Sequence, residues 1–106
     1  MTEMTEYQLV FQLPGSSRSD FEDLIALERE LRTAVSDLGL VDGHDMGVGE
    51  MNIFVLTSRP VQVFERARTM SGINRAMPRM KVAYRSIGGD EYEILHPLGL
   101  SKFEVK

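Results

Sequence analysis

The sequence predicts a small α+β domain, and three observations support that fold class. In an N-terminal stretch, apolar and polar residues alternate, as they do in a strand with one buried face. Two later stretches space their apolar residues three and four apart, as amphipathic helices do. Between them, residues 42–57 combine three of the nine glycines with the most continuous apolar run, which is typical of a central β-hairpin.

The first two elements are predicted to be a strand and a helix. Residues 7–13 alternate as a strand does, and a Pro-Gly pair follows them. The spacing of Ser19 and Glu22 predicts a capping box at the start of the helix. Gly39 is suited to ending that helix. The helix face that carries Glu28 is expected to be solvated.

The hairpin is predicted to turn at Gly49-Glu50, because a Gly-X pair fits a two-residue type II′ turn. That turn places Val48 opposite Met51, Met46 opposite Ile53 and His44 opposite Val55, on the face expected to be buried. The opposite face would carry Phe54 and Leu56 beside the bare glycines 43 and 47. Two interpretations of this face stay open. Either the two apolar side chains shield the glycines or a bulge occurs there, or a ligand or partner chain fills the space.

The second half of the chain predicts a helix, a strand and an extension. Pro60 opens the helix, whose stripe would be Val61, Phe64, Ala67 and Met70, and Gly72 ends it. Residues 79–87 alternate as a fourth strand. Residues 92–95 form a short fifth strand, at an edge or crossing to a partner. The last residues are too apolar to be a free tail.

The resulting order, strand-helix-strand-strand-helix-strand, is similar to that of the ferredoxin-like βαββαβ fold. The resemblance rests on element order alone. It implies a four-stranded antiparallel sheet with two helices on one face. We therefore expect residues 1–106 to form a single α+β domain. Its core would span residues 5–87, and a C-terminal extension, residues 88–106, would dock on its own or a partner chain.

Composition narrows the possible functions. The chain has no cysteine, which excludes disulfides, thiolate catalysis and cysteine-bound zinc. Its N-terminus lacks the features of a signal peptide and no window resembles a membrane span, so a cytoplasmic location is expected. Charge is uneven: residues 1–58 carry 11 acidic and 3 basic side chains, whereas residues 59–87 carry 7 basic and 1 acidic. Such asymmetry is typical of internal pairing or of a surface for an acidic partner.

No motif in the sequence indicates a reaction. The cluster of Asp42, His44, Asp45 and Glu50 lacks a recognised metal-ligand spacing, so neither a metal nor another cofactor is predicted. No nucleophile elbow, Walker loop or dinucleotide loop is present. If the protein is an enzyme, His44, Asp45 and Glu50 are the candidate acid–base groups. Nucleic-acid binding is disfavoured, because Phe54 is the one aromatic expected on the exposed sheet face.

That exposed face is the predicted binding surface. Its residues are expected to be Gln8, Val10, Gln12, Asn52, Phe54, Lys81, Ala83 and Arg85. An apolar patch inside a polar rim is typical of an interface. The predicted function is a non-catalytic protein-interaction or regulatory module, homodimeric through this face or bound to another protein. The alternative is a small-molecule-binding protein or small enzyme of the dimeric α+β barrel type, with a pocket near His44, Asp45 and Asn52.

Overall fold

The computed structural model describes residues 6–105, which form a five-stranded antiparallel sheet and three α-helices. The elements in chain order are β1 (Tyr7–Pro14), α1 (Arg18–Ala34), β2 (Leu40–Met46), β3 (Glu50–Thr57), α2 (Pro60–Ala67), α3 (Ser71–Ala76), a 3₁₀ turn (Met77–Arg79), β4 (Lys81–Ser86) and β5 (Glu93–His96). The predicted α+β class is confirmed. Residues 1–5 and 106, which include the first residue of the predicted core and the last of the extension, lie outside the described part. No helix in residues 6–105 is long and apolar enough to cross a membrane.

The sheet has the order β2-β3-β1-β4-β5, with β1 in the middle. β1 pairs antiparallel with β3 on one side and with β4 on the other, so that Phe11 lies opposite both Ile53 and Val82. One face of the sheet packs on the helices. The residues of this core are Leu9, Phe11, Leu13, Leu24, Leu27, Leu31, Val35, Val41, Met51, Ile53, Val55, Val63, Phe64, Ala67, Ile73, Ala76, Met80 and Val82. We call the opposite face of the sheet the outer face.

The hairpin turn is longer than predicted. Met46 lies opposite Met51 rather than Ile53, and the Gly47 N–H donates to the Glu50 carbonyl at 2.9 Å. The prediction of a two-residue turn at Gly49-Glu50 is therefore wrong. Val48 was predicted to be buried but lies exposed in the loop. The glycines allow this wider turn, since Gly49 adopts a φ of 74°. Because the register moves by two residues, an even number, the strand faces stay as predicted.

A β-bulge interrupts β2 between Val41 and Gly43. Asp42 is the extra residue, and Gly43 adopts a φ of 133°. The bulge interpretation of this stretch is confirmed. A Cβ built on Gly43 would have nothing within 4 Å, so the Phe54 ring does not cover that position, although Gly43 itself is half-buried.

The N-terminus of α1 is capped by Ser17 rather than by Ser19. The Ser17 hydroxyl accepts from the Asp20 N–H at 3.0 Å, and an Asp20 carboxylate oxygen accepts from the Ser17 N–H at 3.1 Å. These backbone hydrogen bonds lower the pKa of Asp20. Both serines have an acidic residue three positions later, so spacing alone does not separate them. The helix itself ends at Ala34, before a turn that leads to Gly39.

The predicted second helix is in fact two short ones, α2 and α3. Val61, expected in the buried stripe, is 47% exposed, while Val63 is buried in its place. Gly72 does not end a helix but lies in the first turn of α3. A Glu30 carboxylate oxygen accepts from the Gly72 and Ile73 N–H groups at 3.0 and 3.2 Å. This side chain from α1 satisfies the free amides with which a new helix begins.

The last two strands differ from prediction mainly in their bounds. β4 begins at Lys81 rather than Arg79, because the preceding residues form the 3₁₀ turn. β5 pairs with β4 of its own chain, with Tyr84 opposite Glu93 and Val82 opposite His96. The fifth strand thus extends the sheet at one edge.

Candidate functional site

All eight predicted interface residues lie on the outer face. The β1–β3 and β1–β4 registers place them there in three rows across β3, β1 and β4. The rows are Asn52–Gln12–Lys81, Phe54–Val10–Ala83 and Leu56–Gln8–Arg85. The strand assignment and the even register shift therefore put these side chains together as expected.

The outer face is less exposed than predicted. Val10, Ala83 and Asn52 are fully buried, and Gln12 is nearly so. We define the C-terminal segment as residues 97–105. It lies against this face, where the Gln12 side-chain amide donates to the Glu104 carbonyl at 3.0 Å. The prediction of a wholly uncovered face is wrong, because alternation places side chains on a face but says nothing of an irregular segment that crosses it.

Other contacts tie the C-terminal region down. The rings of Tyr92 and Phe103 pack with centroids 4.8 Å apart. The Arg85 guanidinium donates to the Gly89 carbonyl at 3.1 Å, which engages this predicted interface residue in the turn after β4. These contacts join residues 89–104 to the rest of the same chain.

One part of the outer face remains uncovered. Leu40 is 59% exposed, and Phe54 and Leu56 are partly exposed. Leu40 lies opposite Leu56 across the β2–β3 pair, and Phe54 lies opposite Gly43. We call Leu40, Phe54 and Leu56 the outer strip. Leu40 was not among the predicted residues, because the strand was expected to begin at Asp42. The apolar Leu40-Val41 pair after Gly39 is the signal that would have extended it.

Beside the outer strip lies a polar cluster of four side chains: Gln12, Asp45, Glu50 and Asn52. The Asn52 amide donates to Asp45 at 2.8 Å and to Glu50 at 3.4 Å. The Gln12 amide donates to the Asn52 oxygen at 3.0 Å and to Glu50 at 3.1 Å. Strand pairing explains the proximity, because Asn52 lies opposite Asp45 on one side and Gln12 on the other. Glu50 begins β3 directly after the turn.

This polar cluster is a satisfied hydrogen-bond network. No buried side-chain nitrogen or oxygen in residues 6–105 lacks a partner. The two amides offset the cost of burial by donating to carboxylates and to the C-terminal segment. Two cavities of about 240 and 220 Å³ flank Gln12, Glu50 and Lys81. The arrangement holds the hairpin turn, β1 and the C-terminal segment together, and it places no nucleophile beside a base.

Of the three candidate acid–base groups, His44 is separated from Asp45 and Glu50. His44 lies on the helix side, where its Nδ1 is 2.9 Å from a Glu28 carboxylate oxygen and its ring packs on Phe21. Asp45 and Glu50 lie across the sheet, on the outer face. The predicted pocket near His44, Asp45 and Asn52 is therefore wrong, because strand alternation separates His44 from the other two.

Glu28 occupies a different environment from the one its sequence position predicts. Its helix face was expected to be solvated, but the side chain is buried against His44. Its spacing gives the signal that was missed, since Leu24 and Leu31 lie four residues before and three after it.

Elsewhere, burial and the nearby Glu93 carboxylate raise the pKa of Tyr84 above its usual value, which makes this tyrosine a weaker acid.

No group of three or more His, Asp or Glu side chains within residues 6–105 is arranged to hold a metal ion. Two features of the outer face bear on function. One is the apolar outer strip, and the other is the polar cluster with its flanking cavities.

Comparison with known proteins identifies no relative that would indicate a function for these features. No protein-family model matches the chain, and no match is found among curated proteins or among solved structures.

Proposed function

We propose that this protein is a non-catalytic interaction module that associates with a second copy of itself through the outer strip. The observation that supports this function is the apolar surface formed by Leu40, Phe54 and Leu56. Within residues 6–105, neither the helices nor the C-terminal segment covers it completely. Gly43 leaves open space beside Phe54. In a twofold arrangement, Phe54 of each copy would enter the space above Gly43 of the other.

Contact between faces fits the structure better than contact between strand edges. β2 is an edge strand, and a bulge together with Asp42 and Asp45 protects it. Bulges and charged side chains on an edge oppose pairing with another chain, and two copies of this acidic strand would repel each other. β5 offers only four residues. The outer strip is an apolar contact that involves neither of these edges.

The expected association is weak. Stable interfaces bury roughly 800 Å² per partner, which is more than three partly exposed side chains supply. Gln8 and Arg85 border the strip and would form its polar rim. A dimer with so small an interface would form at high protein concentration and dissociate at low concentration, as suits a regulatory module.

We further propose that residues 7–86 constitute a ferredoxin-like βαββαβ unit to which β5 and the C-terminal segment are added, all within one domain. The order β2-β3-β1-β4 within the sheet supports this assignment. The division of the second helical connection into α2 and α3 is a departure from the simplest version of that fold. A cysteine-free chain fits a reducing compartment, and we place the protein in the cytoplasm.

Charge placed in the outer strip should prevent self-association. Leu40→Glu adds one carboxylate per copy to a contact that would otherwise be apolar, and we expect the dimer dissociation constant to rise at least about tenfold. Size-exclusion chromatography with light scattering over a concentration series measures this change. The wild-type mass should rise from 12.0 kDa toward twice that value.

Val61→Glu is the matched control for this experiment, since Val61 is a similarly exposed apolar residue on α2. It should associate as the wild type does. A wild type that stays at 12.0 kDa throughout the series would contradict the proposal, as would an equal effect of both substitutions.

A second candidate function is the binding of a small molecule beside the polar cluster. The cavities of about 240 and 220 Å³ on either side of Gln12, Glu50 and Lys81 favour it. Ligand pockets usually measure roughly 300–1,000 Å³, so each cavity is small for this purpose. The amide hydrogens of Gln12 and Asn52 are also already bonded within the protein. Self-association is therefore the stronger proposal.

A further inference from the structure

The C-terminal segment crosses the outer face next to the outer strip. Its Glu104 carbonyl accepts from the Gln12 amide of β1 at 3.0 Å. The neighbouring Phe103 ring packs on Tyr92, which directly precedes β5, with centroids 4.8 Å apart. In the sheet, β4 lies between β1 and β5. The segment therefore passes over β4 between these two contacts.

The part of the face that the segment crosses continues the outer strip. Val10 on β1 and Ala83 on β4 form one row with Phe54. Both face away from the helices and are nevertheless fully buried. With the segment released, we expect this row to be uncovered. The apolar contact surface would then extend from β2 and β3, which carry the outer strip, to β1 and β4.

Few contacts hold the segment in place. It contains no helix or strand, and within residues 6–105 one hydrogen bond, from Gln12 to Glu104, joins it to the sheet. Near its start, Leu98 is 96% exposed and Gly99 adopts a φ of 87°, a conformation that favours glycine. A segment held in this way opens at a lower free energy than the strands beneath it.

The size and position of the contact indicate what the uncovered face would bind. Stable interfaces bury roughly 800 Å² per partner, which the outer strip alone does not supply. The uncovered row lies beside the strip on the same face of the sheet. A second copy that already contacts the strip would therefore reach this row without changing its orientation.

We propose that the C-terminal segment covers part of the contact between two copies and that its release strengthens self-association. While the segment is docked, two copies touch through the outer strip. After its release, Val10 and Ala83 join the contact. This inference rests on the proposed self-association and adds its regulation. Each dimer requires the release of two segments, so its dissociation constant varies with the inverse square of the released fraction.

Removal of the ring that anchors the segment tests this proposal. Phe103→Ser deletes the packing on Tyr92 and should release the segment. Docking that is about tenfold weaker in each copy lowers the dimer dissociation constant up to about a hundredfold, and we expect a decrease of at least about tenfold. Light scattering over a concentration series measures this constant. Phe103 lies outside the helices and strands, so the circular dichroism spectrum should stay that of the wild type.

Two further variants serve as controls. Leu98→Ser removes a large apolar side chain from the same segment at an exposed position, and its dissociation constant should stay within about twofold of the wild-type value. Phe103→Ser combined with Leu40→Glu should associate more weakly than Phe103→Ser alone, because the enlarged contact still includes the outer strip.

A cross-link provides the opposite test. The natural chain has no cysteine, so Tyr92→Cys and Phe103→Cys can be joined within one chain by a short bismaleimide or capped separately with N-ethylmaleimide. Both preparations carry the same substitutions. The joined form should dimerise at least about tenfold more weakly than the capped form, because its segment cannot leave the face.

An unchanged or higher dissociation constant in Phe103→Ser would overturn the role of the segment, as would equal constants for the joined and capped forms. The proposed function fails separately, because Leu40→Glu tests it in the wild-type background. A monomeric wild type beside a dimeric Phe103→Ser would support the role of the segment and contradict association of the docked form. If both stay at 12.0 kDa, both proposals are wrong.

Discussion

Replacing Ile53 with alanine is expected to lower the free energy of unfolding by about 3 kcal/mol, whereas replacing its neighbour Phe54 is expected to cost only about 1 kcal/mol. Ile53 is fully buried between the sheet and the helices, where its loss leaves a cavity. Phe54 lies on the outer face and is partly exposed, so solvent fills the space that its ring vacates. The smaller side chain should therefore be the more costly one to remove.

Urea denaturation of the two variants measures this difference. Denaturation should be carried out at a protein concentration low enough to keep the chain monomeric, because any association would add to the apparent stability. A larger loss for Phe54→Ala than for Ile53→Ala would mean that the two faces are assigned the wrong way round. The outer strip would then have to be abandoned as a contact surface.

Asn52→Asp should destabilise the protein by about 3 kcal/mol at neutral pH, although the side chain hardly changes shape. Asn52 is fully buried, and its amide donates to Asp45 and to Glu50. A carboxylate at this position would bring three negative groups together. It would also remove the donor that satisfies the other two.

The loss in Asn52→Asp should depend on pH. Repulsion raises the pKa of the introduced carboxyl in the folded protein above its value in the unfolded chain, which is about 3.9. The folded state then binds more protons than the unfolded state, so the deficit grows as pH rises through the folded pKa and shrinks as pH falls toward about 4. Thermal unfolding at several pH values, compared with the wild type, reveals this trend.

Two substitutions serve as controls for the charge effect. Asn52→Ala removes the same hydrogen bonds without adding charge, so its deficit should grow less with pH than that of Asn52→Asp. Gln62→Glu makes the analogous change from amide to carboxylate at an exposed position of α2 and should have little effect. An Asn52→Asp variant as stable as the wild type at neutral pH would show that the polar cluster is open to water rather than buried.

Periodicity predicted the strand faces correctly even where the turn was wrong. The register of the hairpin depends on loop conformation, and Gly47 and Gly49 permit more than one loop. Met46 was predicted to lie opposite Ile53 but lies opposite Met51. This shift of two residues is even, so every side chain stays on its predicted face. The alternation of apolar and polar residues therefore predicts the face on which each side chain lies more securely than turn residues predict the register.

Capping residues and the second helical connection were harder to predict, for a different reason. Ser17 and Ser19 both have the spacing of a capping box, so spacing alone does not distinguish them. Gly72 is a residue typical of a helix end, yet a carboxylate oxygen of Glu30, on a distant helix, accepts from the amides with which α3 starts there. An interaction between elements far apart in sequence therefore accompanies this second boundary.

The candidate site was only partly predictable. Strand alternation placed the eight outer-face residues on one surface, and their rows across the sheet agree with the registers. It did not predict that the C-terminal segment lies on that surface and helps to enclose Gln12. Such a segment has no periodicity of its own, so its docking position depends on complementary contacts that one sequence does not reveal. The proposed contact surface is consequently smaller than the whole face and consists of the outer strip.

The contact between two copies can be tested most directly by paramagnetic relaxation in a mixed sample. The natural chain has no cysteine, so Asp42→Cys carries a spin label at one exposed position beside the outer strip. Protein that bears this label at natural isotope abundance is mixed with ¹⁵N-labelled wild type, and a label at Arg75→Cys on α3 serves as control. We predict broadening of the Gly43, Phe54 and Leu56 amides by the label at position 42 alone. Absence of broadening, or broadening confined to residues outside the outer strip, would contradict association through the outer strip.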